Sequence, residues 1–207
     1  MTEPRVERRL AAILAADVVG YARLMEADEE ATLAALKTHQ SELVAPKIAE
    51  HRGRIVKTTG DGALVEFASA VDAVECAVAI QKTVAERQAA VPEERRVAFR
   101  IGINVGDIIV EDGDILGDGV NVAARLEGLA EPGGICIARN VWNQVKAKLG
   151  LPFEPMGEHR VKNIAEPVET WCVRLEGVAA APTVRRLAAA FPVPRRWLAP
   201  ALGASTI

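Results

Sequence analysis

Apolar and polar positions alternate in blocks along the chain, and these blocks predict strands and helices that follow one another. Residues 8–19 form a mostly apolar run, which is typical of a buried strand. Asp28 then begins a segment with acids in its first turn and apolar residues on one face, which predicts a helix to about Glu50. We expect Gly53 to end that helix, because glycine commonly follows a helix C-terminus. Residues 98–105 alternate apolar with polar or small side chains and predict a central strand.

A hairpin with a very tight turn is predicted over residues 55–67. Apolar residues flank a Gly60-Asp61-Gly62 turn, and Lys57 lies just before it. Glycine can take positive φ values that other residues avoid, so the aspartate would project from a rigid turn. An acid fixed in this way is suited to binding a divalent cation. The alternative is an ordinary exposed Asp-Gly turn without a ligand, which has the same sequence pattern.

The order of the predicted elements indicates the fold class. Ser69 caps a second helix that runs to about Glu86, and a turn at Gly106-Asp107 leads from the central strand into a short strand at 108–110. Strand, helix, strand, strand, helix and strand form the βαββαβ pattern of a ferredoxin-like α+β sandwich. We expect helices on one face of its sheet and the other face left for a partner or substrate. The additional C-terminal elements are a helix at 120–129, a strand at 135–138, a helix at 140–149 and strands at 158–161 and 170–174.

Length and composition favour one domain with a tail. Residues 1–176 are enough for a buried core without disulfides, and 177–207 read as an Ala/Pro/Arg-rich linker that could lead to a regulatory or membrane domain beyond the C-terminus. Three widely spaced cysteines in apolar runs indicate reduced core thiols. The net charge of −3 and the scattered basic residues argue against nucleic-acid binding. The apolar run at 10–16 is too short for a signal peptide or membrane span, so we expect a domain in, or facing, the cytoplasm.

Acidic residues stand at two strand ends. Asp17 follows the first strand and precedes Val18-Val19-Gly20, where the backbone turns into a helix. Exposed amides at such a turn can hold phosphate, and the adjacent acid can hold a metal ion. If the first two strands are neighbours, Asp17 and Asp61 lie together at one end of the sheet. Two carboxylates there could hold two Mg²⁺ or Mn²⁺ ions for attack of an oxygen on phosphorus.

Four short motifs carry a family resemblance. In chain order they are DVVGY at 17–21, KTTGD at 57–61, RIGINVG at 100–106 and DILGDGVNVAAR at 114–125. Their order and spacing resemble class III adenylate/guanylate cyclase catalytic domains, over about residues 8–175. Each motif alone is weakly specific, whereas four in order are a specific signal.

The resemblance implies a two-metal phosphate site. Asp17 and Asp61 match the aspartates that bind two divalent cations, Mg²⁺ or Mn²⁺, and the Val18 carbonyl matches a backbone ligand. The residues that it places near the triphosphate are Val19, Gly20, Tyr21 and Lys162.

The resemblance also implies a base-recognition pair and two residues that act on the transition state. Lys57 would donate to adenine N1 and Asp114 would accept from the N6 amine, a pattern that guanine reverses, so ATP should be preferred over GTP. Asn121 and Arg125 lie on one helical face, where Asn121 would orient the ribose and Arg125 would stabilise charge on the α-phosphate.

The implied reaction is conversion of ATP to 3′,5′-cyclic AMP and pyrophosphate, with one metal ion lowering the pKa of the attacking ribose 3′-hydroxyl. In this family the site forms between two catalytic domains. The chain carries both sets of residues, so it resembles a homodimer with two equivalent sites. Lys57 and Asp61 of one chain would then work in different sites. A guanylate cyclase, or a non-catalytic nucleotide-binding regulatory module of the same fold, are the alternatives.

Overall fold

In the described part of the chain, one mixed sheet of eight strands carries helices on both faces. The computed structural model describes residues 7–92, 95–160, 164 and 166–175. The strands are β1 (Glu7–Val18), β2 (Arg54–Thr59), β3 (Gly62–Phe67), β4 (Phe99–Glu111), β5 (Asp114–Leu116), β6 (Ile135–Ala138), β7 (Phe153–His159) and β8 (Val168–Val173). The helices are α1 (Tyr21–Ala27), α2 (Glu29–His39), α3 (Ala45–Glu50), α4 (Ala70–Gln88), α5 (Asp118–Leu129) and α6 (Arg139–Val145), with a π-helical turn (Gln40–Val44) between α2 and α3.

The strand order confirms the predicted ferredoxin-like α+β fold. The sheet runs β2-β3-β1-β4-β6-β8-β7, and β5 pairs with β4. The first four of these strands, with the α1–α3 segment and α4 as connections, form the βαββαβ unit. Strands β6, β8 and β7 extend the sheet beyond β4, where β6 pairs in parallel and the other two pair antiparallel.

The main core lies on the face covered by α3, α4 and α6. Alternate residues of a strand point to opposite faces, so Leu14 of β1 enters this core while Ile13 packs on the other side. Helix α4 begins as predicted at Ser69, whose hydroxyl accepts from the Val71 backbone N–H at 3.2 Å. This cap replaces one hydrogen bond that the first helical turn cannot make internally. The helix then buries its apolar face against the sheet.

The expectation of an uncovered second face is wrong, because α5 packs there across β1 and β4. The reason lies in Gly102 of β4. A Cβ atom at this position would stand 2.1 Å from the Glu127 backbone nitrogen and 2.3 Å from the Ala123 carbonyl oxygen. The helix backbone therefore rests directly on the strand backbone, which only glycine permits. This contact fixes the height of α5 above the sheet.

Substitution of Gly102 by alanine should strongly destabilise the domain. The added methyl group meets backbone atoms that cannot rotate away, so we expect the free energy of unfolding to fall by about 3 kcal/mol. The urea midpoint of unfolding measures this loss. Gly128→Ala in α5 is the matched control, because nothing lies within 4 Å of its added Cβ, and it should leave stability unchanged or raise it by about 0.5–1 kcal/mol. Equal midpoints for Gly102→Ala and wild type would contradict the close approach.

One predicted turn lies elsewhere, and one predicted helix end is confirmed. β4 continues through Gly106-Asp107 without turning, because its ladder with β1 extends to Val110 opposite Glu7. The chain turns instead at Asp112-Gly113, where both residues have positive φ. The α1–α3 segment ends at Glu50, as predicted, and the left-handed residue that follows it is Arg52, with φ 59°, rather than Gly53. Gly53 is needed for space, since a Cβ there would stand 2.5 Å from the Phe67 ring.

The cysteines lie close to the predicted environment, whereas two elements near the C-terminal end of the domain have other bounds than predicted. Cys76 and Cys136 are buried thiols as predicted, and Cys172 is half-buried. Helix α6 ends four residues before the predicted end, at Val145, and β7 begins five residues before the predicted strand. No helix in the described ranges has both the length and the apolar character needed to span a membrane.

The predicted tail at 177–207 lies outside the described residues.

Candidate active site

Two aspartates meet at one end of the sheet. Asp17 near the end of β1 pairs with Gly62, the residue after Asp61 in the β2–β3 turn. The Val18 backbone N–H also donates to the Asp61 carbonyl at 3.0 Å. The expected pairing of the first two strands is wrong, because β1 neighbours β3 and not β2. The aspartates still meet, since Asp61 lies on the turn that joins the two hairpin strands.

The backbone beside Asp17 leaves only part of the predicted phosphate cradle available. Val18 uses its N–H for Asp61, and the Val19 N–H donates to the Ala98 carbonyl at 2.8 Å. Gly20 has φ 66° and precedes α1, and Tyr21 is the first residue of that helix. The role of these residues near a triphosphate stays a prediction. Because the Val18 and Val19 amides already have partners, the amides of Gly20 and Tyr21 are the ones that we expect to hold phosphate.

Arg100, for which the sequence predicts no role, contacts Asp17. The two residues lie directly opposite each other in the β1–β4 ladder. Arg100 Nε donates to Asp17 Oδ1 at 2.9 Å, and Nη2 donates to Oδ2. This hydrogen bonding raises the pKa of the Arg100 guanidinium, and the charges of Glu127 and Asp61 act in the same direction while burial opposes them. Arg100 is the first residue of the RIGINVG motif, so the sequence does single out its position. The sequence does not give the β1–β4 register that places Arg100 opposite Asp17.

A second buried carboxylate lies near the same guanidinium. Glu127 of α5 is 0% exposed, and its Oε1 is 3.8 Å from Arg100 Nη2. Asp17 is 3% exposed. Buried carboxylates are costly unless a cation accompanies them. Arg100 is therefore a cation that lies near both acids at this end of the sheet.

The aspartate corner fits hard divalent cations. Its donors are carboxylate and carbonyl oxygens, which suit Mg²⁺ or Mn²⁺. The described part of the chain has no cluster of three or more His, Cys, Asp or Glu side chains that could enclose an ion alone. Mg²⁺ is usually held by one or two carboxylates together with substrate phosphates and water. Asp17 and Asp61, with the Val18 carbonyl, match that open arrangement.

Lys57 and Asp114 contact each other although they are far apart in the sequence. Lys57 Nζ donates to Asp114 Oδ2 at 2.7 Å. Lys57 follows a register shift in β2, and Asp114 is the first residue of β5. The Ile115 backbone N–H donates to Asp114 Oδ1 at 2.8 Å, which orients the carboxylate. Both side chains remain partly exposed, so the pair can be reached from solvent.

Asn121 and Arg125 follow each other by one turn on α5. Asn121 is half-buried, and its backbone N–H donates to the Gly117 carbonyl at 3.3 Å. Arg125 is 8% exposed, and its burial lowers the pKa of the guanidinium. A cation that is partly stripped of water interacts strongly with any negative charge brought to it. The remaining predicted site residue, Lys162, lies outside the described residues.

Comparisons with known proteins agree on one family. Residues 6–175 match the family model for the adenylate and guanylate cyclase catalytic domain. A Rhizobium meliloti protein provisionally named adenylate cyclase 3 is 51% identical over 83% of this chain and 29% of its own length. Other curated relatives are also much longer than the matched segment: the match covers 34% of an adenylate cyclase from Streptomyces coelicolor.

Solved structures give the same result. An adenylate/guanylate cyclase/hydrolase from Silicibacter pomeroyi is 48% identical with a TM-score of 0.78, and the match covers 82% of this chain and 98% of that one. The adenylyl cyclase CyaB from P. aeruginosa is 25% identical with a TM-score of 0.72, covering 82% of this chain and 96% of that one.

Proposed function

Since the chain belongs to the adenylate and guanylate cyclase catalytic domain family, we propose that it converts ATP to 3′,5′-cyclic AMP and pyrophosphate. The observation that carries this choice of nucleotide is the contact at 2.7 Å between Lys57 and Asp114. It sets a hydrogen-bond donor and an acceptor side by side at a surface that solvent can reach. The reaction needs no covalent intermediate with the protein.

The Lys57–Asp114 pair matches the edge of adenine. Adenine presents an acceptor at N1 beside a donor at N6, so the ammonium of Lys57 donates to N1 and the carboxylate of Asp114 accepts from the amine. Guanine presents a donor at N1 and an acceptor at O6, which would face the wrong partners. Sites built to hydrogen-bond one pattern reject the other strongly, because buried groups are left unpaired.

The phosphate chemistry is assigned to the other two groups of residues. Asp17 and Asp61 would hold two Mg²⁺ or Mn²⁺ ions. When bound, the ions supply a Lewis acid for the ribose 3′-hydroxyl and positive charge for the leaving pyrophosphate. Asn121 orients the ribose by hydrogen bonding, and Arg125 stabilises the charge that develops on the α-phosphate. Fixed positions for these groups lower the entropic cost of in-line attack.

We assign the complete site to a homodimer. Cyclase catalytic domains of this class act as dimers, and one copy of this chain carries both the metal-binding aspartates and the base-recognition pair with the α5 residues. Two copies related by a twofold axis would form two equivalent sites, each using Asp17 and Asp61 of one copy with Lys57 and Arg125 of the other.

The direct test incubates the purified chain with ATP or GTP and Mg²⁺ or Mn²⁺, and separates the cyclic products by chromatography. We expect cyclic AMP from ATP, no product when the metal is removed by a chelator, and much less cyclic GMP from GTP. More cyclic GMP than cyclic AMP would establish the guanylate cyclase alternative. Nucleotide binding without turnover in a folded, dimeric preparation would favour the regulatory module and overturn the proposal.

A further inference from the structure

We propose that Glu127 is a positioning residue that receives the Arg100 guanidinium when a divalent cation takes Asp17. Arg100 would then be an internal counter-ion that the metal ion has to displace. The inference rests on the proposed function in one respect only, namely that Asp17 binds metal. It concerns how this chain prepares that site, and it adds a residue that none of the four sequence motifs singles out.

The geometry places one nitrogen between two acids. Arg100 Nη2 donates to Asp17 Oδ2 and lies 3.8 Å from Glu127 Oε1. A salt-bridge distance of this kind is too long for a hydrogen bond, and a displacement of about 1 Å would bring it into the normal range. Each terminal nitrogen of a guanidinium carries two hydrogens, so Nη2 can donate a hydrogen bond to either carboxylate or to both.

Glu127 is held in this place by the packing of α5. Gly102 lies two residues from Arg100 on β4, so both project toward α5. The absence of a side chain at Gly102 lets the Glu127 backbone nitrogen approach the strand closely. The carboxylate of a fully buried glutamate therefore has a fixed position beside Arg100 and does not reach it by chance from a flexible loop.

Charge accounts for the direction of the movement. In the structure Arg100 occupies both oxygens of Asp17, which is the same carboxylate that the metal site requires. A divalent cation on Asp17 would repel the adjacent guanidinium. Because the guanidinium is partly buried, it needs another acceptor as it leaves, and Glu127 supplies one. Without that acceptor Arg100 should compete more strongly for Asp17, and the metal ion should bind less tightly.

The test measures the affinity of the nucleotide-free protein for Mn²⁺, with electron paramagnetic resonance of the unbound ion as the readout. We expect Glu127→Gln to weaken Mn²⁺ binding about tenfold, the size of one charge-assisted hydrogen bond. Arg100→Gln should bind Mn²⁺ more tightly than wild type, because it removes the competitor. Glu127→Asp keeps the charge and should recover part of the loss. Glu154→Gln removes an exposed partner of Arg174 and should change nothing.

The double variant separates a relay from simple electrostatics. If Glu127 acts through Arg100, Glu127→Gln should have no further effect in the Arg100→Gln background. An equal loss of Mn²⁺ affinity in both backgrounds would show that Glu127 acts directly on the ion, and would overturn the inference. So would unchanged affinity in a folded Glu127→Gln protein, or no Mn²⁺ binding by wild type. A protein that binds Mn²⁺ as expected but makes no cyclic nucleotide would refute the proposed function alone.

Discussion

Chains carrying Asp61→Ala and chains carrying Arg125→Ala should each be inactive, and mixing them should restore cyclic AMP synthesis. In a mixed dimer one of the two shared sites receives both defects, and the other receives intact Asp61 from one chain and intact Arg125 from its partner. With free exchange and equal amounts, half of the dimers are mixed and half of their sites are intact. The recovered activity should therefore reach about a quarter of the wild-type value.

The matched control mixes two chains whose defects fall in the same half of the site. Asp61→Ala combined with Asp17→Ala should give no rescue, because every site then lacks one aspartate. Product formation against mixing ratio measures the effect, with sedimentation to establish that the dimers form and exchange. If mixing Asp61→Ala with Arg125→Ala restores no activity, although both variants are folded and dimeric, the shared site is refuted.

Reversal of the Lys57–Asp114 pair should reverse the nucleotide preference. In a Lys57→Glu, Asp114→Asn variant, the new glutamate accepts from guanine N1–H and the asparagine amide can donate to O6. We expect kcat/KM for ATP to fall by at least about 100-fold and GTP to become the better substrate, because the donor to adenine N1 is lost and an acceptor faces N1 in its place. Product separation with each nucleotide gives the two kcat/KM values.

Asp118→Asn provides the control for that exchange. Asp118 is an exposed residue at the start of α5, close in sequence to Asp114, so its substitution removes one carboxylate from the same region, as Asp114→Asn does. It should leave the ratio of ATP to GTP turnover unchanged. A double Lys57→Glu, Asp114→Asn protein that folds and still prefers ATP would show that other residues read the base.

Local signals in the sequence were sufficient for the elements that depend on neighbouring residues. The Gly-Asp-Gly turn predicts the β2–β3 hairpin, Ser69 predicts the start of α4, and Asp28 accepts from the Ala31 backbone N–H at 3.0 Å at the start of α2. Each of these depends on atoms within a few positions of one another. Together with the strand and helix order, they determine the βαββαβ pattern.

The features that no local pattern predicts depend on register and on close approach between distant segments. The role of Arg100 follows from its position opposite Asp17 in the β1–β4 ladder, and no local pattern specifies that register. The placement of α5 depends on Gly102, whose glycine could equally have marked a turn or a bulge. The Lys57–Asp114 contact joins residues 57 positions apart, and only the family resemblance brought them together before the structure did.

The direct contact between α5 and β4 at Gly102 has a mechanical consequence. Two backbones without intervening side chains cannot slide or tilt independently, so Arg125 on the helix and Arg100 on the strand belong to one stiff unit. In a homodimer of the proposed kind, Arg125 belongs to one site and Arg100 lies at the metal corner of the other. Any shift that one bound nucleotide imposes on the helix would be transmitted to the metal corner of the opposite site.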